Sequence, residues 1–270
     1  MTLFDEGDTV STPAAPSGPL VRVRATVAYE GSGFAGFAAQ PPGVRTVAGA
    51  LSHALSRVLG GGPIVLTCAG RTDAGVHAWG QVVTFDAPGD RFDATKVQRS
   101  VNKLLSPSIV VRSIDAAEAP DFDARFSARS RLYRYTILND PVPDPFLAGT
   151  AWWVPQPLDL HLLRLACDPL LGEHDFASFC RKADDPSNSL VRRVLDARWE
   201  ADDDGRILRF WIEANAFCQQ MVRSITGTLV DCGLGKRHAG EVLAMLQARD
   251  RSAAGPVAPP HGLCLWKVAY

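Results

Sequence analysis

The chain has 270 residues, of which 46% are hydrophobic and 21% are charged, so it is long enough for one large domain or two ordinary ones with a proper core. Its net charge of −1 argues against a strongly basic nucleic-acid-binding protein. However, 23 of its 28 basic residues are arginines, which make planar, bidentate contacts with phosphates and carboxylates. A near-neutral average can therefore hide a local cationic site.

The first 20 residues differ from the rest of the chain. They contain three acidic residues and no Lys or Arg, and they are rich in Pro, Ser and Thr without apolar periodicity. This composition predicts a disordered acidic tail over residues 1–20. The tail has neither the basic start nor the apolar stretch of a signal peptide, and no long apolar run elsewhere predicts a membrane span.

The six cysteines are widely separated and form no C-x-x-C pair. This spacing predicts neither a zinc site nor a disulfide framework, and we expect no bound metal. Unpaired cysteines are typical of a reducing compartment, so the expected location is the cytoplasm.

Hydrophobic periodicity predicts the order β-α-β-β-α-β for the first half of the chain, followed by one more strand. The expected strands cover 21–29, 64–69, 81–85, 109–114 and 132–138. Thr46 and Asp93 can cap the two helices, because their side chains can accept hydrogen bonds from the first turn. The apolar residues expected on the inner side of the second helix are Val97, Val101, Leu104 and Leu105.

Five prolines between residues 141 and 157 resist regular structure, which predicts a linker over 141–158. Beyond it, the patterns predict a helix, a hairpin with an Asp-Gly turn, two helices and a final strand. These elements cover 160–171, 191–201, 207–214, 217–233, 238–248 and 263–270.

The two predicted halves, 21–140 and 159–270, each resemble a split βαβ unit. We therefore predict an α+β fold, in which two ferredoxin-like (RRM-like) halves form a mainly antiparallel sheet with helices on one face. A central cleft between the halves would hold the active site, and the N-terminal half would carry the catalytic motif.

That motif is the segment 70–78, Gly-Arg-Thr-Asp-Ala-Gly-Val-His-Ala, which lies between two apolar strands. Arg71 and Asp73 are two residues apart, so an extended backbone would put both side chains on one face, within reach of an ion pair. An arginine keeps a neighbouring carboxylate ionised, and such a carboxylate can act as a nucleophile or a base. Alternatively, Asp73 only accepts backbone hydrogen bonds in the turn. We expect His77 to be structural.

A second feature is a cationic run over residues 124–138, which contains no acidic residue. Its arginines are Arg125, Arg129, Arg131 and Arg134, and aromatic residues are interleaved with them. Arginine with aromatics can contact phosphates and stack on bases, although a solvated surface is the alternative. The acidic hairpin at 200–204 is expected to face away from any such nucleic acid.

The motif, followed by Gly80-Gln81-Val82, resembles the signature of the tRNA pseudouridine synthase A (TruA) family. Further matching blocks occur in order along the chain, at 29–37, 122–128, 133–135, 171–179, 215–217, 221–227 and 262–265. The resemblance covers about residues 21–270. It implies an isomerase that converts uridine to pseudouridine at positions 38, 39 and 40 of the tRNA anticodon stem-loop, without a cofactor or a metal, and that forms a homodimer.

On the matching positions, the resemblance implies that Asp73 is the nucleophile and that Tyr133 is its aromatic partner. Arg71 and Arg223 are the arginines of the family blocks, and RNA is expected in an arginine-lined cleft around them. Arg71 would fill the space of the flipped base or hold phosphate, and Arg223 would position Asp73 or that phosphate. Tyr133 would stack on the uracil or help to remove the C5 proton.

Several questions stay open from the sequence. Asp73 could attack the ribose C1′ to give a covalent adduct, or abstract a proton from C2′ to give a glycal. Gln219 and Gln220 stand where the family often has His, and Ala38 stands where Gln is frequent, which leaves details of RNA contact in doubt. A non-catalytic RNA-binding module is disfavoured by the intact motif, and a glycosidase by the lack of a second carboxylate in it.

Overall fold

The computed structural model describes residues 18–60, 62–181, 189–202 and 204–270. Most of the predicted tail (1–17) and Asp203 of the predicted hairpin turn lie outside the described residues. The strands are β1 (Leu20–Tyr29), β2 (Thr67–Cys68), β3 (His77–Pro88), β4 (Ile109–Ala116), β5 (Ser130–Leu138), β6 (Trp152–Trp153), β7 (Gly172–Asp175), β8 (Val191–Ala201), β9 (Ile207–Ala214) and β10 (Leu263–Ala269). The α-helices are α1 (Val47–Leu59), α2 (Ala94–Leu105), α3 (Leu160–Leu165), α4 (Met221–Gly233) and α5 (Glu241–Ala248).

The strands form one sheet in the order β4-β1-β3-β10-β5-β9-β8-β7, with β2 paired to β3 and β6 paired to β5. β10 is parallel to β3, and β6 is parallel to β5, whereas the other pairs are antiparallel. The prediction of an α+β fold with a mainly antiparallel sheet is therefore confirmed. The finer arrangement in two ferredoxin-like halves stays a prediction.

The proline-rich segment 141–158 contributes one short strand to the sheet, because the two residues of β6 pair with the end of β5. Ala151 and Val154, on either side of β6, are buried. The role of this segment as a boundary between two domains stays a prediction. No helix within the described ranges is both long and apolar enough to cross a bilayer.

The helical caps and the inner faces of α1 and α2 follow the sequence closely. Thr46 and Asp93 accept the expected backbone hydrogen bonds, and Val97 and Val101 are buried. Leu104 is 44% exposed, so its predicted place on the inner side is wrong. The buried residues Val97 and Val101 and the half-buried Leu105 are spaced four residues apart, and that spacing turns Leu104 outward.

Three predicted boundaries differ for identifiable reasons. β3 begins at His77, four residues before the predicted strand, because the end of the motif pairs with β1 and β10. α3 ends at Leu165, and a short 3-10 turn that contains Pro169 then begins at Asp168. α4 begins only at Met221, because Gln220 has a φ of 62°, which is a left-handed conformation that a right-handed helix cannot contain.

Gly227 in α4 allows the closest backbone contact near the site. A Cβ at this position would lie 1.9 Å from the carbonyl oxygen of Pro256. The helix therefore packs directly against the segment that leads to β10, and the amide of Ala258 donates to the carbonyl of Arg223 over 3.1 Å. The absence of a side chain at Gly227 thus makes room for a neighbouring backbone segment.

Candidate active site

Asp73 lies on the turn between β2 and β3, and the surrounding backbone is held on several sides. Gly75 completes the turn with a φ of 77°, which favours glycine. The buried Thr72 hydroxyl lies 2.8 Å from the Tyr29 hydroxyl on β1. The Gln81 amide donates to the carbonyl of Gly70 over 2.6 Å. The motif is thus fixed from both neighbouring strands before any ligand binds.

His77 closes the motif as a structural residue, as expected. Its Nδ1 accepts from the Gly31 amide over 2.9 Å, so the ring hydrogen belongs on Nε2. Nε2 lies 3.0 Å from the carbonyl oxygen of Gly149 and 2.9 Å from that of His261. Both ring nitrogens are therefore engaged, and the imidazole ties the motif to three distant segments.

The carboxylate of Asp73 is held by an arginine from α4. Arg223 Nη1 lies 3.4 Å from Asp73 Oδ2, and the two side chains are 14% and 28% exposed. Arg223 Nε donates to the carbonyl of Ala258 over 2.7 Å. The Ala258 carbonyl therefore orients the Arg223 guanidinium. The Asp73 carboxylate stays partly exposed toward the cavity.

The expectation of an ion pair between Arg71 and Asp73 is wrong. Within the part of the chain that the structure describes, Asp73 makes its salt bridge with Arg223, and Arg71 is exposed without one. A half-buried, pre-oriented arginine competes well against an exposed one, because an exposed side chain loses more rotamer freedom on pairing. Arg71 is left free to meet a ligand.

Tyr133 is buried on β5 and faces the same cavity. Its ring makes an edge-on contact with Phe217, with 5.1 Å between ring centroids and an interplanar angle of 87°. Burial raises the pKa of Tyr133 well above its usual value, with a smaller effect in the same direction from Asp73. The phenol is therefore neutral at physiological pH. Phe217, which the sequence placed at the start of the helix predicted over 217–233, precedes α4 and packs here instead.

One cavity of about 1390 Å³ collects these groups. Asp73, Tyr133, Arg71 and Arg223 all line it, so the structure brings together the four residues singled out from the sequence. The three departures from the family pattern also line it, namely Ala38, Gln219 and Gln220. Sequence reasoning missed Arg192 as a lining residue, although the basic pair 192–193 at the start of a predicted strand was an available signal.

The cationic run over 124–138 does not form one surface. Arg125 lines the cavity and is exposed, whereas Arg134 points to the other side of the sheet and stacks on Trp266 at 4.1 Å. Arg131 is buried, and its guanidinium donates to four carbonyl groups. Those carbonyls belong to Ala69, Arg125, Ala128 and Asn215. Arg131 therefore ties the start of the motif to the opposite cavity wall.

The described residues contain no cluster of three or more His, Cys, Asp or Glu side chains able to hold a metal ion. The six cysteines are free thiols. The groups available in the cavity include the Asp73 carboxylate, the Tyr133 phenol and several guanidinium groups. The Asp123 carboxylate also lines the cavity, where it accepts hydrogen bonds from backbone amides.

Comparison with known proteins gives a consistent result. The family model described as tRNA pseudouridine synthase matches residues 25–127 and 166–270. The tRNA pseudouridine synthase A of Geobacillus sp. (strain WCH70) is 39% identical over 249 residues, which are 92% of this chain and 98% of that protein. That of Bacillus velezensis is 41% identical over 251 residues, covering 93% and 99%. That of Bordetella parapertussis is 43% identical over 253 residues, covering 93% and 91%.

We expect Arg131→Met to lower the free energy of unfolding by about 3 kcal/mol, because each lost hydrogen bond contributes about 1 kcal/mol and buried carbonyls lose their donor. Arg129→Met is the matched control, since Arg129 is exposed and has no salt bridge within the described residues. Its effect should stay within about 0.5 kcal/mol. Chemical denaturation measures both, and equal effects would contradict the structural role of Arg131.

Proposed function

The chain belongs to the tRNA pseudouridine synthase family, and on that premise we propose that it forms pseudouridine at positions 38, 39 and 40 of the anticodon stem-loop, with Asp73 as nucleophile. That it is an isomerase acting on tRNA uridine follows from the family. The observation that supports the assignment of Asp73 is its ion pair with Arg223 inside a cavity that Tyr133 also lines. Cytoplasmic action is part of the proposal, supported by the free thiols.

The target uridine must leave the base stack before Asp73 can reach it, which costs a few kcal/mol. Arg71 is exposed at the cavity and carries no counter-charge within the described residues, so it can occupy the vacated space or hold a phosphate. With Arg125 and Arg192 it makes the cleft cationic. These side chains give RNA a local site despite the near-neutral chain.

The isomerisation breaks the bond from C1′ to N1 and forms a bond from C1′ to C5, while a proton leaves C5 and another joins N1. In one route, the Asp73 carboxylate attacks C1′, uracil leaves with the bonding electrons, and C5 later displaces the carboxylate. In the other, Asp73 removes the C2′ proton while uracil leaves C1′ with the bonding electrons, which gives a glycal. C5 then adds to C1′, and the proton returns to C2′. Both routes need a positioned carboxylate with one open side, which Arg223 provides.

Tyr133 is better suited to stacking than to proton transfer. Its burial keeps the phenol neutral, and a neutral phenol is a weak base. Its ring is held by Phe217 and lines the cavity beside Asp73. We assign it to contact with the uracil face.

We expect Asp73→Asn to abolish pseudouridine formation while tRNA binding stays within about twofold, because the amide keeps the shape but cannot act as a nucleophile. Mapping of pseudouridine on unmodified tRNA incubated with the pure protein measures the activity and the positions together. Asp86→Asn, at an exposed pair with Arg22, is the control and should remain active. Substantial activity of Asp73→Asn would overturn the nucleophile assignment.

A second prediction separates the two roles of Tyr133. Tyr133→Phe keeps the ring and should retain activity within about tenfold, whereas Tyr133→Leu should lose activity on the order of 100-fold. Because the pKa of the phenol is raised, its ionisation lies above the assay range, so Tyr133→Phe should leave the pH profile between 6 and 9 unchanged. Loss of activity in Tyr133→Phe equal to that in Tyr133→Leu would show that the hydroxyl is required.

We also propose a homodimer that pairs through the sheet face opposite the cavity. Tyr133 and Tyr135 face the core, so Arg134 between them faces the other side. There Arg134 stacks on Trp266, and Trp266 stacks on Trp79 with 5.9 Å between centroids. Tryptophan and arginine are the residues enriched at the centres of protein interfaces.

The charges of this face favour pairing with a second copy of the chain over binding of RNA. The strands β8 and β9 display both signs on it, as Asp196, Arg198, Glu200, Arg209 and Glu213. A symmetric dimer needs a patch that is complementary to itself, and mixed charge meets that requirement. An RNA surface would instead avoid acidic side chains.

Trp79 is 45% exposed, and we expect Trp79→Glu to convert the dimer to a monomer in sedimentation experiments, because it buries a charge at the interface. Trp153→Glu is the matched control, since Trp153 is 41% exposed outside the stacked row. A wild-type monomer, or a dimer that survives Trp79→Glu, would contradict the proposed interface. Weaker tRNA binding without a change in assembly would assign the face to RNA.

A further inference from the structure

We propose that Phe126 is a stacking platform for an RNA base that neighbours the reacting uridine. The inference rests on the proposed function, because the ligand in the cavity is taken to be tRNA. It concerns a side chain at the cavity rim, which none of the steps above uses.

Phe126 differs from other exposed aromatic side chains, such as Phe146, in lying at the cavity. It is 80% exposed, although burying a phenylalanine ring away from water is favourable. It lines the same cavity as Asp73 and Tyr133. An exposed aromatic ring at the rim of a ligand cavity is in a position to be covered by what enters that cavity.

The turn that displays Phe126 is fixed by its own hydrogen bonds. The Asp123 carboxylate accepts from the amides of Arg125 and Phe126 over 2.7 and 2.9 Å. The Ser127 amide donates to the carbonyl of Asp123 over 3.0 Å. These bonds hold the backbone on both sides of the exposed ring.

The same turn is also anchored to the body of the protein. Ala124 is fully buried, its amide lies 3.3 Å from the Thr84 hydroxyl, and its carbonyl accepts from the Tyr270 hydroxyl over 2.8 Å. The carbonyl of Arg125 accepts from Arg131 over 2.8 Å. The exposed ring therefore stands on a rigid support, so little backbone entropy is lost when a ligand covers it.

The surroundings of the ring fit a nucleotide. The Arg125 guanidinium lies 5.4 Å from the Phe126 ring centroid, which places a cation for phosphate beside a surface for a base. The cavity of about 1390 Å³ exceeds the roughly 300–1,000 Å³ of typical small-molecule sites, so it has room for more than the reacting nucleoside. Phe126 stands at its rim, where an adjacent base would lie.

The test compares Phe126→Leu and Phe126→Trp with Phe146→Leu, using unmodified tRNA as the substrate. Leucine keeps the apolar volume but has no flat face, whereas tryptophan restores one. Phe146 is 94% exposed and does not line the cavity, which makes it a matched control. Steady-state kinetics give KM and kcat, and the fluorescence of the Phe126→Trp indole is followed during titration with tRNA.

We expect Phe126→Leu to raise KM on the order of 5- to 100-fold, the range found for loss of one base stack, with kcat within about twofold. Phe126→Trp should keep the wild-type KM, and tRNA should quench its added fluorescence. Phe146→Leu should change neither constant.

An unchanged KM in Phe126→Leu, or an indole at position 126 that tRNA does not quench, would overturn the proposal. A fall in kcat at constant KM would overturn it too, because it would place the ring in the chemical step. If the wild-type protein binds tRNA but forms no pseudouridine, the proposed function fails. The effect of Phe126→Leu on tRNA binding then still tests whether Phe126 stacks on a base.

Discussion

The last strand of the chain determines where the site residues meet. In β10, Leu265 is opposite Ala78 of β3 on one side and Tyr133 of β5 on the other. Neighbouring strands lie about 4.8 Å apart, so β3 and β5 are separated by roughly 10 Å through this strand. The turn that carries Asp73 leads directly into β3. The distance between the carboxylate and the aromatic ring is therefore set by sheet pairing, and the side chains that converge on the cavity depend on it.

Much of this arrangement could be predicted from short stretches of sequence. The caps Thr46 and Asp93, the strand pattern and the motif around Asp73 each depend on neighbours a few residues away. The partner of Asp73 could not be derived in that way, since Arg223 lies 150 residues later and approaches through packing of α4. Only the family resemblance selected it. The start of α4 could not be predicted from local sequence either. The left-handed backbone of Gln220 follows from tertiary packing, and it shortens the helix predicted from periodicity.

The arginines show why residue counts predict a binding surface poorly. Arg131 and Arg134 belong to one sequence run, yet one donates to buried carbonyls and the other stacks on Trp266 across the sheet. Alternation along β5 sends them to different environments. The arginines that outnumber the lysines therefore have two different structural roles. Some guanidinium groups replace missing backbone donors inside the fold, while others, such as Arg71, stay free at the cavity.

The guanidinium of Arg131 has a mechanical consequence. It connects Ala69, before the motif, to Asn215, before the segment with Phe217. Any hinge motion that moved these two cavity walls apart would have to break hydrogen bonds to a buried cation, which is costly in a low-dielectric interior. The two cavity walls are thus held in a fixed relative position at this point. Under the proposed function, adaptation during substrate entry therefore falls on the RNA, because this part of the cavity is already formed.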